Sequence, residues 1–207
     1  MREIRRGLAS SRNRVFATAV AVALSFVVPS STTHGSAQDQ TPPGPSKRMP
    51  DGKEWLTENL NLATAESYCY RDAERNCRHY GRLYTWQSAR NACRSLGDGW
   101  RLPTDDDWRE LARHYGGIAD DSDDRGKAAY EALLRGGSSG FDAVLSGGRA
   151  AQDGRYDDLK AHGFYWSASQ SSPTGAWFYN FGRGSTGFYR QSDGEEQMAL
   201  AVRCVSE

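Results

Sequence analysis

Four cysteines, Cys69, Cys77, Cys93 and Cys204, constrain this chain more than any other feature. Their meaning depends on the compartment, and the N-terminus bears on that. Five arginines fall within residues 1–14, and Val15 to Val28 is apolar apart from Thr18 and Ser25. This run is shorter than the ~20 residues a membrane-spanning helix needs. A basic start, a short apolar run and small residues up to Ala37 predict a signal peptide over residues 1–37. The mature chain is then expected to be secreted or periplasmic, with no stable membrane span. In an oxidising compartment an even cysteine count favours two disulfides, and four cysteines permit three connectivities. Cys69 and Cys77 are close enough in sequence for a looped pair. Cys93 and Cys204 then remain, and a bridge between them would close a loop of about 111 residues worth ~4.7 kcal/mol in the chain-entropy model. A zinc site would need ligands at spacings such as Cys-x2-Cys, and the sequence has none.

Loss of residues 1–37 removes five Arg and one Glu, leaving 21 basic and 25 acidic side chains, a net charge of −4. That balance argues against nucleic acid, which requires a basic face. Gln38 to Pro50, with Pro42, Pro43, Pro45 and Pro50, reads as a Pro-rich tether over residues 38–50. The folded domain is expected over 51–207.

Within it, Lys53 to Leu62 alternates like a strand, and Tyr68 to Cys77 reads as a cross-linked surface loop. Trp86, Ala89, Cys93 and Leu96 share one face of a helix over 85–96, with Thr85 as its cap. Trp100 to Pro103 is extended. Thr104 caps a second helix with Asp105, Asp106 and Asp107 in its first turn, where the helix dipole favours negative charge. Its buried face is Trp108, Leu111, Ala112 and Tyr115. The run Asp120, Asp121, Asp123 and Asp124 reads as a solvated loop. It is the only candidate metal ligand set, for calcium. Lys127 to Leu134 predicts a short helix, Phe141 to Leu145 a strand, and 147–163 an irregular segment. Three strands then follow (164–169, 176–181 and 186–190), and Met198 to Val205 forms the last. On that last strand Leu200, Val202 and Cys204 share one face and Ala199, Ala201, Arg203 and Val205 the other.

Several motifs in this order resemble the Fibrobacter succinogenes major paralogous domain. They are Asp51-Gly52-Lys53-Glu54-Trp55-Leu56-Thr57-Glu58-Asn59-Leu60, Tyr80-Gly81-Arg82-Leu83-Tyr84-Thr85-Trp86, Gly99-Trp100-Arg101-Leu102-Pro103-Thr104 with Trp108, Phe164 to Ser169, and Val202-Arg203-Cys204-Val205. More widely, the helices and the terminal cysteine strand resemble the C-type lectin-like fold. That resemblance implies an α+β domain: two short helices on a twisted antiparallel sheet, long loops and two disulfides, with Cys93 bonded to Cys204. Members of the family are typically exported bacterial proteins with no assigned activity.

The expected function is a non-enzymatic binding or surface-interaction module at the cell envelope, with a glycan or protein ligand and no cofactor. Tyr165, Trp166, Trp177, Tyr179, Phe188 and Tyr189 are the candidate ligand contacts, since aromatic faces stack on sugars and anchor protein contacts. The calcium-site motifs of true C-type lectins are absent from the sequence. Arg101 to Trp108 and Arg203-Cys204-Val205 also resemble sulfatase-modifying enzymes, which implies an enzyme as the alternative. Those enzymes use two redox cysteines near the C-terminus, where only Cys204 occurs here, and His79, His114 and His162 are scattered.

Overall fold

The structure is a computed structural model that describes residues 44–97 and 99–207. The expected signal peptide and residues 38–43 of the tether lie outside the described residues. Among those described, no helix is long and apolar enough to cross a membrane.

The folded body starts before Asp51. Strand β1 (Ser46–Arg48) pairs antiparallel with β2 (Glu54–Leu56), which pairs on its other side with β10 (Val205–Ser206). The tether therefore stops short of Ser46. A two-stranded pair, β3 (Ser67–Tyr68) and β4 (Leu83–Tyr84), brackets a 3-10 turn and helix α1 (Glu74–Tyr80). Cys77 thus sits on a helix where a loop was expected. The next two helices fall where periodicity placed them, α2 at Trp86–Arg94 and α3 at Asp105–Arg113. A shorter helix, α4, covers Lys127–Leu133.

The main sheet has the order β6-β5-β7-β8-β9, formed by β5 (Ser146–Arg149), β6 (Tyr156–Leu159), β7 (His162–Ser172), β8 (Gly175–Gly182) and β9 (Gly187–Glu195). The meander β7-β8-β9 is antiparallel, while β5 meets β7 in parallel at Gly147 and Gly163. Strands β5 and β6 occupy the segment expected to be irregular. Their SGGR and YDDL sequences carry little apolar alternation to betray a strand. Phe141 to Leu145 is no strand, and it contributes a single bridge at Ala143.

Both predicted disulfides are present, Cys69–Cys77 and Cys93–Cys204. The segment 199–205 differs from expectation. It is not one regular strand but a thread of isolated bridges, to Tyr84, Arg149, Tyr165 and Arg101, that ends in β10. Its alternation is as predicted, yet both sides are buried. Ala199, Ala201 and Val205 enter one hydrophobic cluster, with Trp55, Trp108, Phe141, Tyr165, Tyr179 and Phe188. Leu200, Val202 and Cys204 enter the other, with Leu56, Trp86, Cys93, Trp166 and Phe178. The segment is thus the partition between two cores. Buried tryptophans must place their N–H on a partner. Here Trp86 donates to Ser167 O, Trp108 to Trp166 O and Trp166 to Tyr84 O, which ties helices and sheet together.

Polar groups lock the helix starts. The Thr104 hydroxyl accepts from the Asp107 N–H while the Asp107 carboxylate accepts from the Thr104 N–H, a complete capping box. Thr85, by contrast, makes no side-chain cap, and its hydroxyl donates to Glu66. Burial would raise the Asp107 carboxyl. Hydrogen bonds from Arg101 and Thr104 outweigh it and hold the group at about 2, below its usual 3.8. A depressed carboxyl stabilises the fold above its unfolded value, and that contribution vanishes as pH falls through the folded one. Asp107→Asn is therefore expected to flatten the acid limb of the stability profile between pH 3.8 and about 2. Acid unfolding followed by tryptophan fluorescence measures this, and a limb identical to the parent's would show that the pair contributes nothing. Thr104→Ala should cost ~1 kcal/mol in urea unfolding at neutral pH.

Candidate functional site

The structure sorts the six candidate aromatics into two kinds. Tyr165, Trp166, Tyr179 and Phe188 are fully buried core, which corrects their reading as ligand contacts. Tyr179 stacks on Trp108 and donates to Asp105, and Tyr165 exchanges hydrogen bonds with the Val144 backbone. The error arises because neighbours on opposite faces, Tyr165 with Trp166 on β7 and Phe178 with Tyr179 on β8, are buried together, so alternation there assigns neither side to solvent. Trp177 and Tyr189 are half-buried. The Arg190 guanidinium covers the Trp177 ring at 3.3 Å from its centroid, and both nitrogens it directs at Asp105 are bonded. Tyr189 lies over Gly187, where an added Cβ would come within 2.5 Å of its hydroxyl.

The acidic run does not converge as a ligand set. Asp124 accepts the N–H groups of Gly126, Lys127 and Ala128 at the start of α4, and Asp121 pairs with Arg109. Asp120 and Asp123 take no part in these contacts. Among the described residues the one group of three close metal-type donors is Cys69, Glu74 and Cys77, whose two sulfurs are already bonded to each other. His79 belongs to α1, His114 pairs with Glu110, and His162 opens β7. No free cysteine is present.

An apolar floor and convergent polar groups meet elsewhere, in a cleft of about 250 Å³ between β5–β6 and β8–β9. The floor is Phe164, Phe178 and Leu200, the two rings meeting edge to face at 5.9 Å. Gly148 keeps it open: a Cβ there would stand 3.2 Å from Leu200 and 3.3 Å from Phe164. Asp157 and Asp158 reach it from β6, and Gln191 and Asp193 from β9. Arg149 joins from β5, its guanidinium 4.2 Å from the centroid of the Tyr68 ring.

A hydrogen-bond relay sets the polarity of one wall. The Asn180 amide nitrogen donates to Gln191 Oε1 at 2.8 Å, so its oxygen faces His162 Nδ1 at 2.9 Å. The His162 ring stacks on Phe164 at 5.3 Å. Gln191 keeps its NH₂ and the second lone pair of its oxygen for the cleft. Asp157, Asp158 and Asp193 line the same cleft, the Asp157 carboxylate already accepting from Arg155, so the wall combines donors with acceptors. Such a set suits hydroxyl groups, which both donate and accept. The volume lies just below the ~300–1,000 Å³ of typical small-molecule sites. It fits one sugar ring or one side chain and is too small for a dinucleotide.

None of these lining residues was a site candidate in the sequence. Phe164 and Phe178 were legible as strand aromatics, but their partners come from the two strands that composition concealed. A larger cavity, about 470 Å³, lies beside Leu62 and Leu96 and is bounded by Gly44 and Pro45, the first described residues.

Residues 46–206 match the family model described as Fibrobacter succinogenes major domain. No curated protein and no solved structure matches the chain.

Proposed function

The chain belongs to the Fibrobacter succinogenes major domain family, and from that premise we propose an exported, non-enzymatic binding module of C-type lectin-like build. Its ligand is a glycan or protein group of the cell envelope, held over Phe164 and Phe178. The cleft carries the proposal: an aromatic floor whose wall is pre-oriented by the His162–Asn180–Gln191 relay. Two bridges using all four cysteines support export to an oxidising compartment. The Cys93–Cys204 tie between α2 and the terminal segment supports the lectin-like topology. With Cys204 bonded, the redox-cysteine chemistry of the alternative, a sulfatase-modifying-type enzyme, lacks its nucleophile.

Glycan-array screening and pull-down from envelope extract, followed by titration calorimetry, test the reading. Gln191→Ala and Asp193→Ala are each expected to weaken binding about tenfold, the scale of one lost hydrogen bond to a ligand, with thermal unfolding unchanged for Asp193→Ala and lowered for Gln191→Ala, which strands the buried Asn180 amide. Ligands that bind both variants as tightly as the parent would place the site elsewhere.

A further inference from the structure

A second cleft, of about 240 Å³, is lined by Arg135, Lys160 and Arg183 and by no acidic side chain. Each cation stands on a different turn: Arg135 follows α4, Lys160 joins β6 to β7, and Arg183 joins β8 to β9. The turns have fixed bases. The Arg135 N–H donates to Ala143 O, the Lys160 N–H to Leu145 O and the Arg183 N–H to Ala161 O. Lys160 holds a left-handed backbone at φ 66°, a conformation uncommon outside glycine, asparagine and aspartate. Among the described residues none of the three cations has a carboxylate within 4.0 Å. The nearby Asp142 carboxylate accepts from the Gly136 N–H.

The charge extends on both sides. An adjoining hollow of about 110 Å³ shares Tyr80, Arg135 and Val144 and adds Arg78 and His79 against Glu58. Behind the floor, buried Arg203 donates to the carbonyls of Phe141 and Asp142, next to Ala143 and Val144. All three cations are exposed on their turns and, among the described residues, none is paired with a carboxylate, so an anion seated in the hollow would meet uncompensated positive charge.

We propose that this cleft binds an acidic saccharide: a sugar bearing a carboxylate or sulfate that Arg135, Lys160 and Arg183 share, with its ring on Tyr80, Leu134 and Val144. The guanidinium fork matches the planar oxygen pairs of such anions. The apolar floor would be left bare by a simple inorganic ion. At Ala143 and Val144 a peptide strand finds every backbone group already engaged. Ala143 is bonded through its N–H to Leu133 and through its carbonyl to Arg135. Both Val144 backbone groups bond the Tyr165 hydroxyl, and the Leu145 carbonyl bonds Lys160. This site does not depend on the cleft over Phe164.

The test is shift mapping and calorimetry on the oxidised, isotopically labelled chain. The probes are a uronate disaccharide, a sulfated disaccharide, their neutral parent, inorganic sulfate and an acidic peptide. Either acidic sugar is expected to move resonances of Leu134, Ala143–Leu145, Lys160 and Arg183, with affinity falling as salt rises; which one does so identifies the anion. Arg135→Gln, Lys160→Gln and Arg183→Gln should each weaken binding about tenfold, while Arg113→Gln on α3 should not. Equal binding of the neutral parent or of inorganic sulfate would overturn the proposal, as would a response to the peptide alone or no response in this cleft.

Discussion

Replacing Cys204 with serine is expected to leave the domain unfolded at about 37 °C. The Cys93–Cys204 bridge closes a loop of 111 residues, for which chain entropy gives ~4.7 kcal/mol. That is comparable with the whole stability of a small domain, ~5–15 kcal/mol. The Cys69–Cys77 bridge closes a loop of only 8, worth ~2.5 kcal/mol on the same relation. The two bridges should therefore differ. Cys69→Ser with Cys77→Ser should melt lower yet remain cooperative, whereas Cys93→Ser with Cys204→Ser should show no transition at neutral pH. Calorimetry with a non-reduced peptide map reads both. Equal melting of the two double variants would contradict the loop-length argument.

Arg203→Met is the second large effect. Arg203 is fully buried and bonded to no carboxylate. Its guanidinium donates to Asn59 Oδ1 at 2.8 Å and to the carbonyls of Leu56 at 2.9 Å, Phe141 at 2.6 Å and Asp142 at 2.7 Å. Burial pushes its pKa down. Replacing a buried ion pair with apolar groups can be neutral when both partners are replaced. Here three of the four acceptors are backbone and cannot be replaced. Each carbonyl left unpaired costs ~1–3 kcal/mol, so the loss should reach at least ~3 kcal/mol. Arg203→Lys keeps the charge but not the planar fork, and should fall between methionine and the parent in urea midpoint. A methionine variant within ~1 kcal/mol of the parent would mean that water or a shifted loop satisfies those carbonyls.

These residues also explain what could be read in advance. Trp55, Trp86, Arg101, Trp108, Trp166 and Arg203 carry the family resemblance, and all of them work inside the scaffold. Trp108 alone meets Trp55, Phe141, Tyr165, Tyr179 and Phe188. Helices α2 and α3 were legible because one side of each is covered, so burial left a 3.6-residue imprint. The terminal segment was legible in phase but not in environment, since apolar residues on both sides look the same whether one or two layers cover them. Strands β5 and β6 were invisible for a different reason. A side chain at Gly147 would collide with Asp157 O and one at Gly148 would crowd Leu200 and Phe164, so β5 has no side chain at these positions to announce it. The surfaces proposed for binding were hidden because they are assembled from turns and strands distant in sequence, each unremarkable alone.

The partition formed by residues 199–205 has a consequence for biogenesis. Neither apolar cluster can close before that stretch is in place, because it supplies a wall to each. A growing polypeptide lacking it has no half that can mature independently, and the long covalent clasp is also still missing a sulfur. Synthesis and any passage through a translocation pore therefore proceed with a loose thread, and compaction follows as a single late event. A ribosome-stalled chain ending at Met198 should be cleaved by protease throughout, while one extended past Glu207 should resist.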